Sequence, residues 1–353
     1  MTGALPDPSS FLSGDAGDVT DPWRRAKRTV GEVAYAALDT LAGTRRRASR
    51  LARTGPRGLD VLVIGVYRPG SFMADGLQSL QSERHNVRIA LGSTGPADPA
   101  LREHTVAEDL SGGKFENLNR VSEEMTGFRS VYHSPGESTP SVLPLADSRK
   151  PEGDRAAGLP HWTLVVDDDV RLPRAFLDRF VAVCEAFGLD LAQPAQTLRS
   201  HSAWKVTRRR PASLVRETRF VEIGPVTAFG SRAAAELLPF PELRYGWGLD
   251  LHWAALAGQR GWRLGVVDAL PVRHESALVG ASYSREDAEE EAARFLADRP
   301  YLPSVRTGEV LAVHRTAPRR GERPRGGAGR GSSGGGERPQ GEGRRGPDGG
   351  RGS

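Results

Sequence analysis

The middle of the chain alternates between two hydrophobic patterns, one with the period of a strand and one with the period of a helix. Apolar, often β-branched runs predict strands at 59–67, 86–95, 161–166, 190–195, 220–229 and 263–276. Apolar residues at helical spacing predict helices over 71–84, 113–125, 173–188 and 231–238. Strands that alternate with helices are typical of an α/β fold, in which helices flank a mixed, mostly parallel sheet. We therefore expect a single α/β domain here.

The two ends of the chain differ from this middle part. Residues 1–22 are rich in Pro, Gly, Ser and Asp, and residues 316–353 hold 14 glycines and nine arginines without an aromatic residue. Neither composition can bury a core, so both segments are predicted to be disordered. Residues 132–160 are similarly polar and are predicted to form a long loop. The predicted organisation is an N-terminal extension (1–57), one domain (58–315) and a tail.

Residues 23–53 have apolar positions at helical spacing between two basic clusters, which predicts a basic amphipathic helix. Such a helix could lie on an anionic membrane surface, dock on its own domain or stay solvated, and its short, Ala-rich stripe favours the last two. No stretch approaches the roughly 18 to 20 apolar residues that span a bilayer. The N-terminus also lacks the pattern of a signal peptide. We expect a cytoplasmic protein, with peripheral membrane contact left open.

The charge is unevenly spread along the chain. The net charge of +5 comprises +4 on residues 1–57 and +5 on residues 316–353, which leaves −4 on the part between them. The basic character therefore belongs to the flanks and gives no support for specific nucleic-acid binding by the domain. The single cysteine, Cys184, lies at an apolar helical position, which predicts core packing and excludes an internal disulfide and a Cys-based zinc site.

The most informative stretch is HWTLVVDDDVRLP at 161–173, where an apolar strand ends in Asp167, Asp168 and Asp169. Alternate residues of a strand share a face, so Asp167 and Asp169 should point one way and Asp168 the other. Neighbouring carboxylates repel each other unless a cation relieves them, and Mg²⁺ and Mn²⁺ bind carboxylate and phosphate oxygens. The motif predicts a divalent metal site, with a solvated acidic turn as the plainer interpretation.

Four features in order make residues 58–280 resemble the nucleotide-sugar glycosyltransferases of the GT-A fold, in detail the inverting family 2 enzymes and their bacterial relatives. They are VLVIGVYR with the later LGSTG, the acidic motif LVVDDDVRLP, the segment GWGLDLHWAALAGQRGWRLGVVD, and the histidine of VRHES. The resemblance implies a Rossmann-like GT-A domain that transfers a sugar from a nucleotide-sugar donor to an acceptor hydroxyl with inversion. It also implies a divalent metal cofactor, Mn²⁺ or Mg²⁺.

The resemblance implies roles for particular residues on the donor side. Asp169 would be the principal metal ligand, Asp167 a ligand of the metal or of the donor ribose, and His274 a further ligand. The metal would offset the negative charge that builds on the diphosphate leaving group. A histidine near a strand end is, however, equally often a surface or hydrogen-bonding residue. Nucleotide or sugar contacts are expected from Val66, Tyr67, Arg68, Lys114 and Asn117.

On the acceptor side, Asp250 is the expected general base for the attacking hydroxyl. Its place at a helix N-terminus also suits a cap and should depress its pKa. The acidic pair usual for the family is only partly present, since Leu249 stands where Glu is expected. Trp247 and Gly248 are expected to bind the acceptor, with Trp247 as a sugar-stacking platform or, about equally, a core aromatic. A basic run at 205–210 could meet an anionic ligand, although solvated runs are commoner.

Two other functions fit part of the pattern. A haloacid-dehalogenase-like phosphatase also has Asp-x-Asp after an apolar strand, but near its N-terminus and with Thr or Val where this chain has Arg171. A non-catalytic, transferase-like binding module is the other alternative, against which the intact acidic residues and histidine argue. The expected partners are a nucleotide-sugar donor and a saccharide, lipid or other hydroxyl acceptor.

Overall fold

The computed structural model describes residues 21–126, 159–275 and 284–318. Almost all of the predicted disordered N-terminus, the predicted loop at 132–160 and the predicted tail lie outside these segments. Those three assignments, and the division of the chain that rests on them, therefore stay predictions.

The described segments form ten strands and eight helices. The strands are β1 (Asp60–Tyr67), β2 (Asn86–Ser93), β3 (Thr105–Ala107), β4 (Trp162–Val166), β5 (Val170–Arg171), β6 (Leu191–Gln196), β7 (Val215–Thr218), β8 (Val226–Gly230), β9 (Leu264–His274) and β10 (Val310–His314). The helices are α1 (Pro22–Leu41), α2 (Thr44–Thr54), α3 (Met73–Leu80), α4 (Lys114–Thr126), α5 (Phe176–Phe187), α6 (Ser231–Leu237), α7 (Leu249–Arg260) and α8 (Arg285–Leu296). Strands β3, β5, β7 and β10 were not predicted; the first three have only three, two and four residues, too few to show a period.

The sheet has the strand order β10-β7-β9-β6-β8-β4-β1-β2-β3, and β5 pairs with the end of β9. Strands β3, β2, β1 and β4 are parallel to one another, and β6 is parallel to β9. Strand β8 lies antiparallel between β4 and β6, and β7 and β10 extend the other edge in antiparallel pairing. The predicted mixed α/β sheet flanked by helices is confirmed.

Two apolar clusters lie on opposite faces of this sheet. One includes residues of α4, α6, α7 and α8, and the other includes residues of α2, α3 and α5. Strand β4 contributes to both, since Val165 belongs to the first cluster and Leu164 and Val166 belong to the second. A strand that is buried on both faces has a continuous apolar sequence, as β4 does. The aspartates that follow β4 therefore lie where the strand ends, at the edge of the sheet.

The strand directions bring the predicted metal ligands to one edge of the sheet. Strands β4 and β9 run the same way, because β8 is antiparallel to β4 and to β6, and β6 is parallel to β9. Short strand β5 then pairs Val170 with His274. The backbone N–H of Glu275 donates to the carbonyl oxygen of Asp169 at 2.9 Å. Open α/β sheets bind ligands at this carboxyl edge.

Two predicted elements differ from the structure. The predicted strand at 220–229 is wrong in its first half, since strand β8 begins only at Val226. The preceding Pro225 has no N–H for a strand ladder.

The predicted helix over 23–53 is two helices, α1 and α2, separated by Gly43 with a φ of 65°. Glycine adopts this left-handed conformation readily, so it ends the first helix at low cost.

Helix α1 docks on the domain through its polar face. Glu32 and Asp39 both form ion pairs with the buried guanidinium of Arg209. Glu32 also accepts a hydrogen bond from the N–H of Leu198 at 2.9 Å, and Asp39 accepts one from the N–H of Ala212 at 2.8 Å. Arg209, part of the basic run that could have met an anionic ligand, is therefore used to hold α1.

The apolar residues of α1 consequently point away from the domain. Trp23, Val30, Val33 and Leu41 are 80%, 71%, 67% and 85% exposed. This is the reverse of an ordinary amphipathic helix, whose apolar stripe faces the core. No helix of the described segments combines the length and apolar character needed to cross a bilayer.

We expect Asp39→Ala to lower the free energy of unfolding by about 3 kcal/mol, because it removes one of the two carboxylates that compensate the buried charge of Arg209. Urea denaturation would measure the loss. Arg24→Ala is the control, since within the described segments the side chain of Arg24 forms an exposed ion pair with Asp21 at 3.6 Å and no other. That change should cost less than about 0.5 kcal/mol. Equal losses in the two variants would contradict a stabilising role for the buried pair.

Candidate active site at the carboxyl edge of the sheet

The acidic motif divides as expected, with Asp168 on one side and Asp167 and Asp169 on the other, although β4 ends at Val166 and Asp168 and Asp169 lie in the turn that follows. Asp168 accepts hydrogen bonds from the backbone N–H of Arg68 at 2.9 Å and from its Nε and Nη2 at 2.9 and 3.0 Å. The hydrogen bond and the charge of Asp168 raise the pKa of Arg68. Such a bidentate pair fixes the chain where it leaves β1. Asp168, which had no predicted role, thus positions Arg68, one of the residues predicted to contact the nucleotide.

Asp167, Asp169 and His274 converge on the other face. One ligand atom from each lies within 4.8 Å of the other two. His274 Nε2 is 3.1 Å from Asp169 Oδ1, and its Nδ1 is 3.1 Å from the carbonyl oxygen of His201. A carbonyl that accepts from Nδ1 orients the ring so that Nε2 faces the carboxylates, which is the usual arrangement of a metal-binding histidine.

Two cationic side chains balance the carboxylates of this group. Burial lowers the pKa of His274. This is outweighed by the hydrogen bond and charge of Asp169 and by the charge of Asp167, which raise the pKa to about 9. Burial raises the pKa of Asp167. The positive charge of Lys114 lowers this pKa, and the negative charge of Asp169 raises it. Lys114 Nζ lies 2.6 Å from Asp167 Oδ1. The positive charges of Lys114 and of protonated His274 therefore offset part of the negative charge of the two carboxylates.

A cleft of about 330 Å³ opens beside this group. Its wall follows the chain from Arg68 to Phe72 after β1, and Asp168, Asp169 and Glu275 complete it. Within the described part of the chain, the buried hydroxyl of Ser71 has no hydrogen-bond partner. The cleft thus joins the end of β1 to a carboxylate of the metal-ligand group, as a nucleotide site at this edge would require.

Asp250 lies in the first turn of α7 and is 5% exposed. The N–H of Leu251 donates to its Oδ1 at 2.9 Å, and the N–H of Ile223 and the indole of Trp204 also hydrogen-bond to the carboxyl. Burial nevertheless raises the pKa of Asp250 to about 7. The prediction of a depressed pKa is therefore wrong, because removal from water outweighs the helix dipole and the hydrogen bonds.

The segment between β7 and β8 connects Asp250 to the metal-ligand group. Ile223 hydrogen-bonds to Asp250 through its N–H, and its carbonyl oxygen lies 3.5 Å from Nζ of Lys114, the partner of Asp167. A Cβ on Gly224 would lie 2.9 Å from Asp167 Oδ2, so a side chain there would press on the carboxylate. The predicted base and the predicted metal ligands are thus neighbours through one short segment.

Glu222 is a second carboxyl at this place, to which the sequence patterns assigned no catalytic or binding role. Its Oε2 accepts a hydrogen bond from Gln196 Nε2 at 2.8 Å. Burial raises the pKa of Glu222 to about 8. The charge of His274 lowers this pKa, and the charge of Asp250 raises it. Glu222 therefore interacts with both the metal-ligand group and the predicted base. Only its burial distinguishes it from other acidic residues, and burial is not visible in the sequence.

Other predicted site residues lie farther inside the protein. The hydroxyl of Tyr67 is hydrogen-bonded to a threonine of β3 at 2.8 Å, and Asn117 is 2% exposed. Val66 and Trp247 pack against the apolar cluster of α4, α6, α7 and α8. Gly248 precedes α7 with a φ of 87°. The side chains of Tyr67 and Asn117 are thus used in packing, and the predicted ligand contacts of all five residues stay predictions.

No protein-family model and no curated protein matches the chain. Among solved structures, the chain is similar to the mannosyltransferase PcManGT from Pyrobaculum calidifontis in complex with GDP-Man and Mn²⁺. The TM-score is 0.41 and the sequence identity 16%, over 78% of this chain and 79% of that chain. At this degree of similarity, function has to be inferred from the residues of this chain.

Proposed function

We propose that this protein is a metal-dependent glycosyltransferase that moves a sugar from a nucleotide-sugar donor to an acceptor hydroxyl with inversion. The observation that supports the proposal is that Ile223 hydrogen-bonds to Asp250 and also approaches Lys114, the partner of Asp167 in the group of Asp167, Asp169 and His274. Breaking a sugar–diphosphate bond requires charge stabilisation at the leaving group and a base at the attacking hydroxyl. The metal-ligand group would provide the charge stabilisation, and Asp250 would be the base.

The residues present fit a hard divalent cation. Two carboxylates and an imidazole within 4.8 Å form a ligand set that suits Mn²⁺ or Mg²⁺. When bound, the metal would offset the negative charge that develops on the departing diphosphate. Asp169 and His274 would hold it, with Asp167 as third ligand. Lys114, which pairs with Asp167, would donate to a phosphate or sugar oxygen.

On the acceptor side, Asp250 would accept the proton of the attacking hydroxyl. A base works best when its pKa lies near the working pH, since it is then ionised and still able to take a proton. The pKa of about 7 meets this condition. A single base suits direct displacement by the acceptor, which inverts the anomeric carbon. Trp247 and Gly248, just before Asp250 in the chain, would contact the acceptor.

The first test is thermal unfolding of the full chain with a panel of nucleotides and nucleotide sugars, with and without Mn²⁺. A ligand at about 100 times its Kd adds roughly 2.7 kcal/mol to stability. We expect stabilisation by one class of nucleotide sugar, and only with the metal. Hydrolysis of phosphate monoesters would support the phosphatase alternative instead. No stabilisation of folded protein by any donor would support the binding module.

We also propose that α1 contacts an anionic membrane surface, which would bring the site to a lipid-borne acceptor. The exposed stripe of Trp23, Val30, Val33 and Leu41 has the apolar character of a helix face that enters a lipid interface. Exposed basic residues of α1 and α2 flank this stripe, among them Lys27, Arg45 and Arg46. Basic residues beside an apolar stripe complement anionic headgroups.

We expect the protein to sediment with vesicles of phosphatidylcholine containing about 30% phosphatidylglycerol, and less with phosphatidylcholine alone. Replacing Val30, Val33 and Leu41 together by Ser should reduce binding at least about tenfold, because three apolar side chains no longer enter the interface. The control is Val305→Ser with Leu311→Ser, which changes exposed apolar residues outside α1. Dimerisation that the α1 substitutions abolish, without vesicle binding, would contradict membrane contact.

A further inference from the structure

A second, smaller pocket borders the site and is lined mainly by arginines. It shares His274 with the metal-ligand group and Glu275 with the larger cleft. Its volume is about 110 Å³, whereas a water molecule in the liquid takes up ~30 Å³. The remaining wall consists of His201 and four arginines, Arg25, Arg28, Arg199 and Arg273. Four guanidinium groups around one small space favour an anionic ligand.

The positive charge of this pocket is only partly compensated. Glu275 Oε2 lies 2.7 Å from Arg273 Nη2, but Oε1 of the same carboxylate lies 2.6 Å from Arg171 Nε. In the described segments, no carboxylate forms an ion pair with Arg25 or Arg199. The arginines thus repel one another, and a bound anion would relieve this repulsion.

Helix α1 is what completes the pocket. Arg25 and Arg28 belong to the same helix as Glu32 and Asp39, whose ion pairs with Arg209 hold α1 against the domain. The two arginines therefore reach the pocket from an anchored element. A helix that was only solvated, as the sequence allowed, would not present them at a defined place.

We propose that this arginine pocket binds a phosphate group, anchored by Arg25, Arg28, Arg199 and Arg273 beside the metal ligands. Guanidinium groups bind phosphate oxygens through charge-assisted, often bidentate hydrogen bonds. The phosphate group would belong either to the diphosphate of the donor or to a phosphorylated acceptor. Its role in sugar transfer rests on the proposed function, whereas the binding itself does not.

The test is calorimetric titration of the full chain with inorganic pyrophosphate in EDTA, so that no metal takes part. We expect binding that weakens at least about tenfold in Arg25→Gln/Arg28→Gln and in Arg199→Gln, since each change removes charge-assisted hydrogen bonds. Arg24→Gln is the matched control on the same helix and should bind like the wild type. Absence of pyrophosphate binding, or equal affinity in all variants, would overturn the proposal.

A second titration separates the two sources of the phosphate. Glycerol phosphate is added to protein already saturated with Mn²⁺ and a nucleoside diphosphate. Competition would assign the pocket to the donor diphosphate, and undiminished binding would assign it to a phosphorylated acceptor. Metal-dependent donor binding without metal-free pyrophosphate binding would overturn this proposal alone. The converse result would leave the pocket as a phosphate site and overturn the proposed transferase.

Discussion

Replacing Asp169 by Asn is expected to abolish metal-dependent nucleotide binding and to reduce sugar transfer about a thousandfold. The physical reason is that Asp169 has an oxygen both in the metal-ligand group and against His274 Nε2 at 3.1 Å. A metal that supplies several kcal/mol of charge stabilisation accounts for a loss of this size, since about 4 kcal/mol corresponds to three orders of magnitude. Thermal unfolding with and without Mn²⁺, and a transfer assay with the stabilising donor, measure the two effects.

The control for this substitution is Asp298→Asn, which changes a carboxylate that is 77% exposed and paired only with its neighbour Arg299. That variant should bind metal and nucleotide like the wild type. If folded Asp169→Asn protein kept its metal-dependent stabilisation by the nucleotide, the metal site would lie elsewhere. Loss of binding together with loss of the folded state would carry no weight, so the unfolding transition of each variant is compared first.

Replacing Asp250 by Asn should reduce sugar transfer by about 10²–10⁴, the usual contribution of a general base. The same change should stabilise the protein at neutral pH. The folded-state pKa of Asp250 is about 7, above the ordinary value of 3.8. Between these values the unfolded chain releases a proton that the folded protein retains, so Asp250 destabilises the fold increasingly as pH rises. The penalty reaches as much as about 4 kcal/mol above pH 7, and Asn avoids it.

The pH dependence distinguishes a catalytic carboxyl from a helix-capping one. Urea unfolding at about pH 5 and pH 8 should show a stability gain in Asp250→Asn that grows with pH. A cap residue would give the opposite sign, because its loss typically costs about 1 kcal/mol. The structure already places the N-cap at Gly248, with Asp250 inside the first turn. Destabilisation of the variant at both pH values would contradict the assignment.

Glu222→Gln is the matched variant for deciding which buried carboxyl takes the proton. Burial raises the pKa of both groups, and the charge of Asp250 adds to the rise at Glu222. If Asp250 is the base, Glu222→Gln should retain most of the transfer activity and leave its pH profile nearly unchanged, since Glu222, with a pKa of about 8, is still neutral where Asp250 ionises at about 7. Retention of activity in Asp250→Asn but not in Glu222→Gln would transfer the role to Glu222.

Local patterns carried much of the fold and the outline of the site. The periods of β1, β4, α4 and α5 are visible within a dozen residues, because strand and helix repeats depend on neighbours in the chain. The acidic motif is visible for the same reason, since Asp167, Asp168 and Asp169 are contiguous. The expected separation of Asp168 from the other two is also found, although it occurs in a turn after β4 and not within a strand. The failures came at Gly43 and Pro225, where one residue interrupted an otherwise regular pattern.

Contacts between distant segments decided the rest. The 3.1 Å approach of His274 to Asp169, the pairing of Lys114 with Asp167 and the part of Glu222 in the site all join residues far apart in the chain. The pKa of Asp250 depends on the water excluded by other elements, which no local pattern encodes. The docking of α1 through its polar face likewise depends on distant contacts. Its apolar stripe is a local feature, but the ion pairs with Arg209 hold its polar face against the domain, and only the folded chain brings them together.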